Sequence, residues 1–216
     1  LIPISQTTTG FFKDSLFILI AKHFKRKVVL QLRGSNFKTW VNNSSTLNKW
    51  YIKWILKKTQ GIIVLGNNLK HLFKGYYTDD RIFVVPNGGD YTLPARKESE
   101  DVKILYLSNL LASKGIEDVF KSIEILSKKV NVKFSVDVIG EWHNEEDKNR
   151  CLLIKESHKL PINIHSSKGA EKFQYLANAD IFIFPPREPE GHPWSIVEAM
   201  AAGLPIIVID MGAIIE

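Results

Sequence analysis

A chain of 216 residues, 44% hydrophobic and 11% aromatic, can bury a sizeable core, and 24% charged residues is the composition of neither a disordered chain nor a coiled coil. No run approaches the roughly 18 apolar residues needed to span a bilayer, and a single cysteine, Cys151, excludes an internal disulfide framework and any cysteine-rich metal site. The net charge of +6 divides unevenly, with 16 Lys+Arg against 6 Asp+Glu in residues 1–100 (+10) and 13 against 17 in residues 101–216 (−4), which suggests two units with different partners.

In chain order the elements alternate between apolar runs and amphipathic helices. A helix over 12–25 contains Leu16-Phe-Ile-Leu-Ile-Ala21, which reads as a buried helix segment. Strands are predicted over 28–32 and 61–65, with a helix over 45–58 between them. That helix places Leu47, Trp50, Tyr51, Trp54 and Ile55 on one stripe and Lys49, Lys53 and Lys57 on another. The pattern fits either a helix packed on its sheet or one lying at a membrane surface. A helix over 67–75 and a strand over 82–85 follow, then Asn87-Gly88, whose composition fits a tight turn.

The polar stretch 94–101 reads as a linker between a first domain, 1–93, and a second, 102–216. The second domain offers strands 102–107, 134–139, 162–164, 181–184 and 205–209, against three in the first, with helices over 115–129, 144–159, 170–178 and 194–202. Continuous β-branched runs alternating with helices argue for α/β architecture with parallel sheets. In such sheets ligands bind beyond the carboxyl ends of strands, so the loops after each strand are the candidates for function.

The densest of these loops is Phe184-Pro-Pro-Arg-Glu-Pro-Glu-Gly-His-Pro-Trp-Ser195. A helix opening near Pro193 and Trp194 leaves backbone N–H groups beside a positive dipole end, a ready anion site. Glu190 precedes this helix and Glu198 lies one turn inside it, with seven residues between. The two carboxylates could accept hydrogen bonds from sugar hydroxyls while the helix start meets a pyrophosphate. Gly203 and Pro205 then end the helix. In Leu107-Ser-Asn-Leu-Leu-Ala-Ser-Lys-Gly-Ile116, Lys114 is placed to neutralise a diphosphate, and Gly115 permits close backbone approach. Gly140 gives similar room after strand 134–139, where Trp142 is as well suited to packing as to lining a pocket. In the first half, Arg33-Gly34-Ser35 follows strand 28–32.

The paired glutamates followed by Ala199-Met-Ala-Ala-Gly-Leu-Pro205 resemble the C-terminal signature of family-4 retaining glycosyltransferases of group 1. That resemblance implies a GT-B fold, two facing Rossmann-like domains, and transfer of a hexose-type sugar from a UDP- or GDP-linked donor to a glycan or lipid-linked acceptor. Glu190 matches the glutamate that contacts the transferred sugar, and Glu198 the one that holds the ribose. Gly191, His192, Pro193, Trp194 and Ser195 would complete the donor site. The family usually carries an arginine where this chain has Asn109, and a histidine where it has Arg33. Arg33, Gly34 and Ser35 fall on the acceptor side. Lys168-Gly-Ala-Glu-Lys172 matches the family without an assigned role. The resemblance further implies that the earliest strands and last helices of the family are missing here, so that this chain alone would be inactive.

No metal or other cofactor is expected, in keeping with the absence of an Asp-x-Asp motif, and the expected location is cytoplasmic, peripheral at an anionic membrane in envelope polysaccharide synthesis. The alternatives are a non-catalytic nucleotide or nucleic-acid binder, and an epimerase or phosphorylase of the same architecture. Glu188 and Glu190, two apart on one loop, do not flank a substrate as a glycosidase pair would.

Overall fold

All eight runs read as strands are strands in the computed structural model, which describes every residue except Ser167, Lys168 and Glu216. They are β2 (Val29–Leu32), β3 (Gly61–Val64), β4 (Ile82–Val84), β5 (Val102–Leu107), β6 (Phe134–Ile139), β7 (Ile162–His165), β8 (Ile181–Phe184) and β9 (Ile206–Val208). A further strand, β1 (Ile2–Ile4), gives the first half four strands rather than the expected three. At three residues with a central proline it carries no periodic signal, and it forms by pairing with β2, Ile2 opposite Leu30 and Ile4 opposite Leu32.

The helices are α1 (Thr8–His23), α2 (Phe37–Asn42), α3 (Thr46–Leu56), α4 (Ile116–Ser127), α5 (Glu145–His158), α6 (Lys172–Asn178) and α7 (Trp194–Ala201). Helix α2 is not among the predicted elements because six residues are too few to show a helical period; the Asn36 side chain at its N-cap makes no capping hydrogen bond, and Phe37 and Val41 are buried. Asn67–Phe73 is a 3-10 segment instead of the expected α-helix. The run is bounded by Gly66 and Gly75, the latter at φ +89°. Asn87 and Gly88 lie in irregular chain with neither a hydrogen-bonded turn nor a bend, so the expected tight turn is not formed there.

The chain divides into two compact units. The first gathers Leu1–Asn87 with Pro189–His192 and the described residues from Gly212, and the second gathers Gly88–Glu188 with Pro193–Met211. In the first, the parallel order β1-β2-β3-β4 steps always in one direction. Right-handed crossovers therefore place the connecting helices on a single face. Ile4, Leu30, Leu32, Ile62, Val64 and Ile82 turn to that face and are buried with Phe11 and Ile18 of α1 and Ile52, Ile55 and Leu56 of α3. The segment expected to be buried in α1 is only partly so: Ile18 is, but Leu16, Phe17 and Ile20 are exposed. The stripe predicted on α3 is divided likewise: Ile55 is buried and Tyr51 packs against the core, whereas Leu47, Trp50 and Trp54 are exposed.

The second sheet has the order β7-β6-β5-β8-β9, all parallel. From β5 the chain winds outward through α4 and α5 to β7, then returns through α6 to the other side of β5. The doubly wound pattern leaves a topological switch point between β5 and β8.

Cys151 of α5 is fully buried, and its thiol is pushed up to about 12, first by burial and then by the Glu117 and Asp147 carboxylates. It is expected to resist thiol reagents in the native protein at neutral pH and to react fully in denaturant, as a thiol titration will show. Rapid labelling of the native chain would mean that this part of the unit opens readily.

Candidate functional site

At the switch point, the loops leaving β5 and β8 meet backbone to backbone. Gly115, between a 3-10 turn (Ala112–Lys114) and α4, has φ +75°, and a Cβ there would overlap the carbonyl oxygen of Pro185 just beyond β8. The Arg187 amide donates to the Ser113 carbonyl at 2.9 Å. The Arg187 guanidinium makes a two-pronged contact with Asp118 in the first turn of α4, at 2.6 Å for both Nε and Nη2. That guanidinium holds the Asp118 carboxyl below its usual range. Its charge is thereby paired with that of Asp118.

Other residues fix the β5–α4 loop from beneath. The Tyr106 hydroxyl donates to the Lys114 carbonyl at 3.1 Å, and the Ala112 amide donates to Asp147 Oδ2 at 3.1 Å. Asp147 is buried in the first turn of α5 and also pairs with Arg150. Gly140 lies against Ser108, where a Cβ would overlap the carbonyl oxygen, so the β6 loop packs directly on the β5 loop. Trp142 is half-buried, and its backbone bridges to Leu110. Asn109 is exposed at the carboxyl end of β5.

Helix α7 opens at Trp194 with Pro193 as its N-cap. Trp194 and Ser195 occupy the first two helical positions, whose amides lie ahead of the helix's own hydrogen-bond ladder. One turn on, Glu198 is only 5% exposed. Its Oε1 receives a hydrogen bond from Lys172 Nζ at 2.6 Å. Lys172 is the first residue of α6, and its Nζ also lies 5.3 Å from the Phe173 ring centroid. Burial, and secondly the Glu198 charge, raise the Tyr91 hydroxyl above its ordinary range. The second unit thus gathers Asn109, Lys114, Gly115, Gly140, Trp194, Ser195 and Glu198 on the loops and helix that follow its strands.

Glu190, Gly191 and His192 fold with the first unit. Gly191 is buried, and a Cβ on it would come within 2.6 Å of the Arg33 carbonyl oxygen. Ser35 Oγ donates to the Pro189 carbonyl, and Asn87 Nδ2 to the His192 carbonyl at 2.6 Å. The Glu190 carbonyl accepts from the Ala213 amide at 3.2 Å. Gly34 packs on the Gln6 amide. Arg33, Gly34 and Ser35 are therefore brought together with Glu190, Gly191 and His192, a grouping that no spacing in the sequence announces.

Sequence reasoning missed Tyr106, Asp147, Arg187 and Lys172. Of these, Arg187 and Lys172 stand inside stretches already singled out, whereas Tyr106 and Asp147 read as ordinary strand and helix residues. Lys168, from the same stretch as Lys172, lies outside the described residues. Among the described residues no three His, Cys, Asp or Glu side chains gather as a metal site, and no helix is long and apolar enough to cross a membrane.

A family model described as Glycosyl transferases group 1 matches residues 94–216, more than half the chain. An "Uncharacterized glycosyltransferase" of Haemophilus influenzae is 28% identical over 154 residues, covering 69% of this chain and 41% of that protein. Among solved structures, Anabaena HepE in complex with UDP superposes with a TM-score of 0.79 at 16% identity, covering 94% of this chain and 59% of that one. The pneumococcal O-GlcNAc transferase GtfA in complex with UDP and GlcNAc gives 0.72 at 15% identity, covering 97% and 41%. The likeness extends the α/β class to the GT-B fold expected from the sequence, and the chain spans about two fifths to three fifths of the length of these proteins.

Proposed function

This chain belongs to the glycosyl transferases group 1 family, and we propose that it acts in transfer of a hexose-type sugar from a UDP-linked donor to a glycan or lipid-linked acceptor, with retention at the anomeric carbon. The observation that carries the reading is the β5–β8 switch point, where Gly115 lies against Pro185 and the loop carrying Lys114 is held by the Arg187 amide and the Tyr106 hydroxyl. UDP in complexes of two proteins with this fold supports the choice of base.

In this reading the C1–O bond to the donor's β-phosphate breaks and a bond forms from C1 to an acceptor hydroxyl oxygen. The hydroxyl proton leaves with the diphosphate. Retention requires acceptor and leaving group to share one face of the sugar. Lys114 and the amides of Trp194 and Ser195 stabilise charge developing on the diphosphate. Asn109, lacking charge, contributes a hydrogen bond only. Gly140 leaves room for the nucleotide, Glu198 accepts from the ribose hydroxyls, and Glu190, with Gly191 and His192, contacts the sugar. Arg33 cannot serve as a base at neutral pH and instead binds an anionic group of the acceptor. No divalent cation is required, since the lysine and helix termini supply the positive charge.

Calorimetric titration of UDP, GDP and ADP into the chain tests the donor assignment. UDP is expected to bind in preference to the other two, and Glu198→Ala to weaken it about tenfold, or about 1.4 kcal/mol. A folded chain that binds none of the three, or binds UDP equally well after the substitution, sinks the assignment.

A further inference from the structure

Glu198 lies buried in α7 and Lys172 opens α6, so two helices of one unit supply the pair. A carboxylate has two oxygens, and this pairing treats them unequally. Oε1 receives Lys172 Nζ at 2.6 Å, while among the described residues no group donates a hydrogen bond to Oε2. Oε2 is not closed off from solvent, so a ligand hydroxyl can reach it.

The hold on Oε1 is stronger than a surface contact. The ammonium group also lies 5.3 Å from the Phe173 ring centroid, and that ring meets Tyr91 at 5.9 Å. A cation over an aromatic ring gains a second attraction. At the first position of a helix a positive charge is disfavoured by the dipole, so it is Glu198 and not α6 that keeps Lys172 in place. Withdrawing the lysine would leave a buried carboxylate uncompensated. An arriving hydroxyl brings a hydrogen bond but no charge, and so cannot take over the role of the ammonium group.

A ribose presents two adjacent hydroxyls, which match the two oxygens of a single carboxylate. We infer that Lys172 prevents that match. It reserves Oε1, so that Glu198 holds the ribose through Oε2 alone, and one hydroxyl carries the recognition while its neighbour faces the lysine. Lys172 is then a positioning residue that sets which ribose hydroxyl is read. The inference rests on the reading in which Glu198 receives the ribose of the nucleotide.

The test is calorimetric titration of UDP, 2′-deoxy-UDP and 3′-deoxy-UDP into the 216-residue chain and into Lys172→Met. In the native chain, removing the hydroxyl held by Oε2 forfeits a hydrogen bond to a charged group and should weaken binding about tenfold or more. Removing the other hydroxyl should weaken it about threefold at most. Lys172→Met frees Oε1, and there the two losses should become equal. Lys172→Arg keeps a cation on Oε1 and should keep them unequal. Equal losses in the native chain overturn the inference, and that comparison needs no variant to fold. So does an inequality that survives in folded Lys172→Met, or a substitution that changes all three affinities by one factor, as a merely structural lysine would. If UDP does not bind, or binds as well to Glu198→Ala, the donor reading has failed and this inference falls with it. UDP binding that depends on Glu198 but shows equal hydroxyl losses strikes the inference alone.

Discussion

Gly115→Ala is expected to lower the stability of the second unit by about 3 kcal/mol and to remove nucleotide binding. Two costs combine. A non-glycine residue held at φ +75° costs about 1–2 kcal/mol through the clash of Cβ with its own backbone. The added methyl would also overlap the Pro185 carbonyl, which is backbone and cannot swing aside as a side chain could. Either the β5–α4 loop or the β8 loop must shift, and Lys114 shifts with it. Gly203 supplies the control: it sits in the same unit at φ +70°, and a methyl group added there would meet nothing within 4 Å. Gly203→Ala should cost only the conformational part, about 1 kcal/mol. In a chain of this size each kcal/mol moves the melting temperature by about 2–4 °C. Calorimetric melting of the two variants separates the contributions, and equal losses would show that the contact with Pro185 is absent in solution.

The second large effect is an asymmetry at the Lys172–Glu198 pair. Glu198 is the more deeply buried partner, at 6% side-chain exposure against 28% for Lys172. Lys172→Met strands a carboxylate without its cation, a loss of about 3 kcal/mol for a buried pair. Against this, removing a positive charge from the first position of α6 relieves about 0.5 kcal/mol of unfavourable dipole interaction. The burial effect wins, leaving a net cost of about 2.5 kcal/mol. Glu198→Gln leaves a lysine that can still reach water, and should cost about 1 kcal/mol. Urea unfolding at neutral pH measures both. If Lys172→Met proved the milder change, the ammonium group would not be the group that compensates Glu198.

The same pair marks where sequence reading stops. Glu198 stands out through its spacing from Glu190, and Lys114 and Gly115 through their place after a strand. Lys172, 26 residues before Glu198, stands in a stretch that could be singled out but not given a role, because the partner of a buried charge is chosen by the fold. Strands β2 to β9 are legible because apolar, β-branched runs bounded by turn residues have few other stable fates, whereas β1 and α2 exist only because neighbours bury them. Periodicity is a poor guide to α1 and α3 for a related reason. It reports that a face is apolar and not what covers it, so it cannot tell that Leu16, Phe17, Trp50 and Trp54 stand exposed. The pairing of Arg33–Ser35 with Pro189–His192 joins segments more than 150 residues apart, beyond any pattern in one sequence.

A last consequence follows from the winding of the second sheet. In parallel order every crossover helix starts at the same edge, so α4, α5 and α7 all begin beside the carboxyl ends of the strands. Glu117 and Asp118 in the first turn of α4, and Glu145, Glu146 and Asp147 in that of α5, offset the roughly half positive charge of those two starts, whereas α7 has no acid in its first turn. Residues 101–216 carry a net charge of −4, from 13 Lys+Arg against 17 Asp+Glu. Seen from a distance this half of the chain repels an anion, while within a few ångströms of the α7 start the field reverses. At physiological salt the repulsive far field is screened beyond about 8 Å. The near field at α7, carried by backbone groups that do not titrate, remains, so this helix start should attract anions across a wide range of pH.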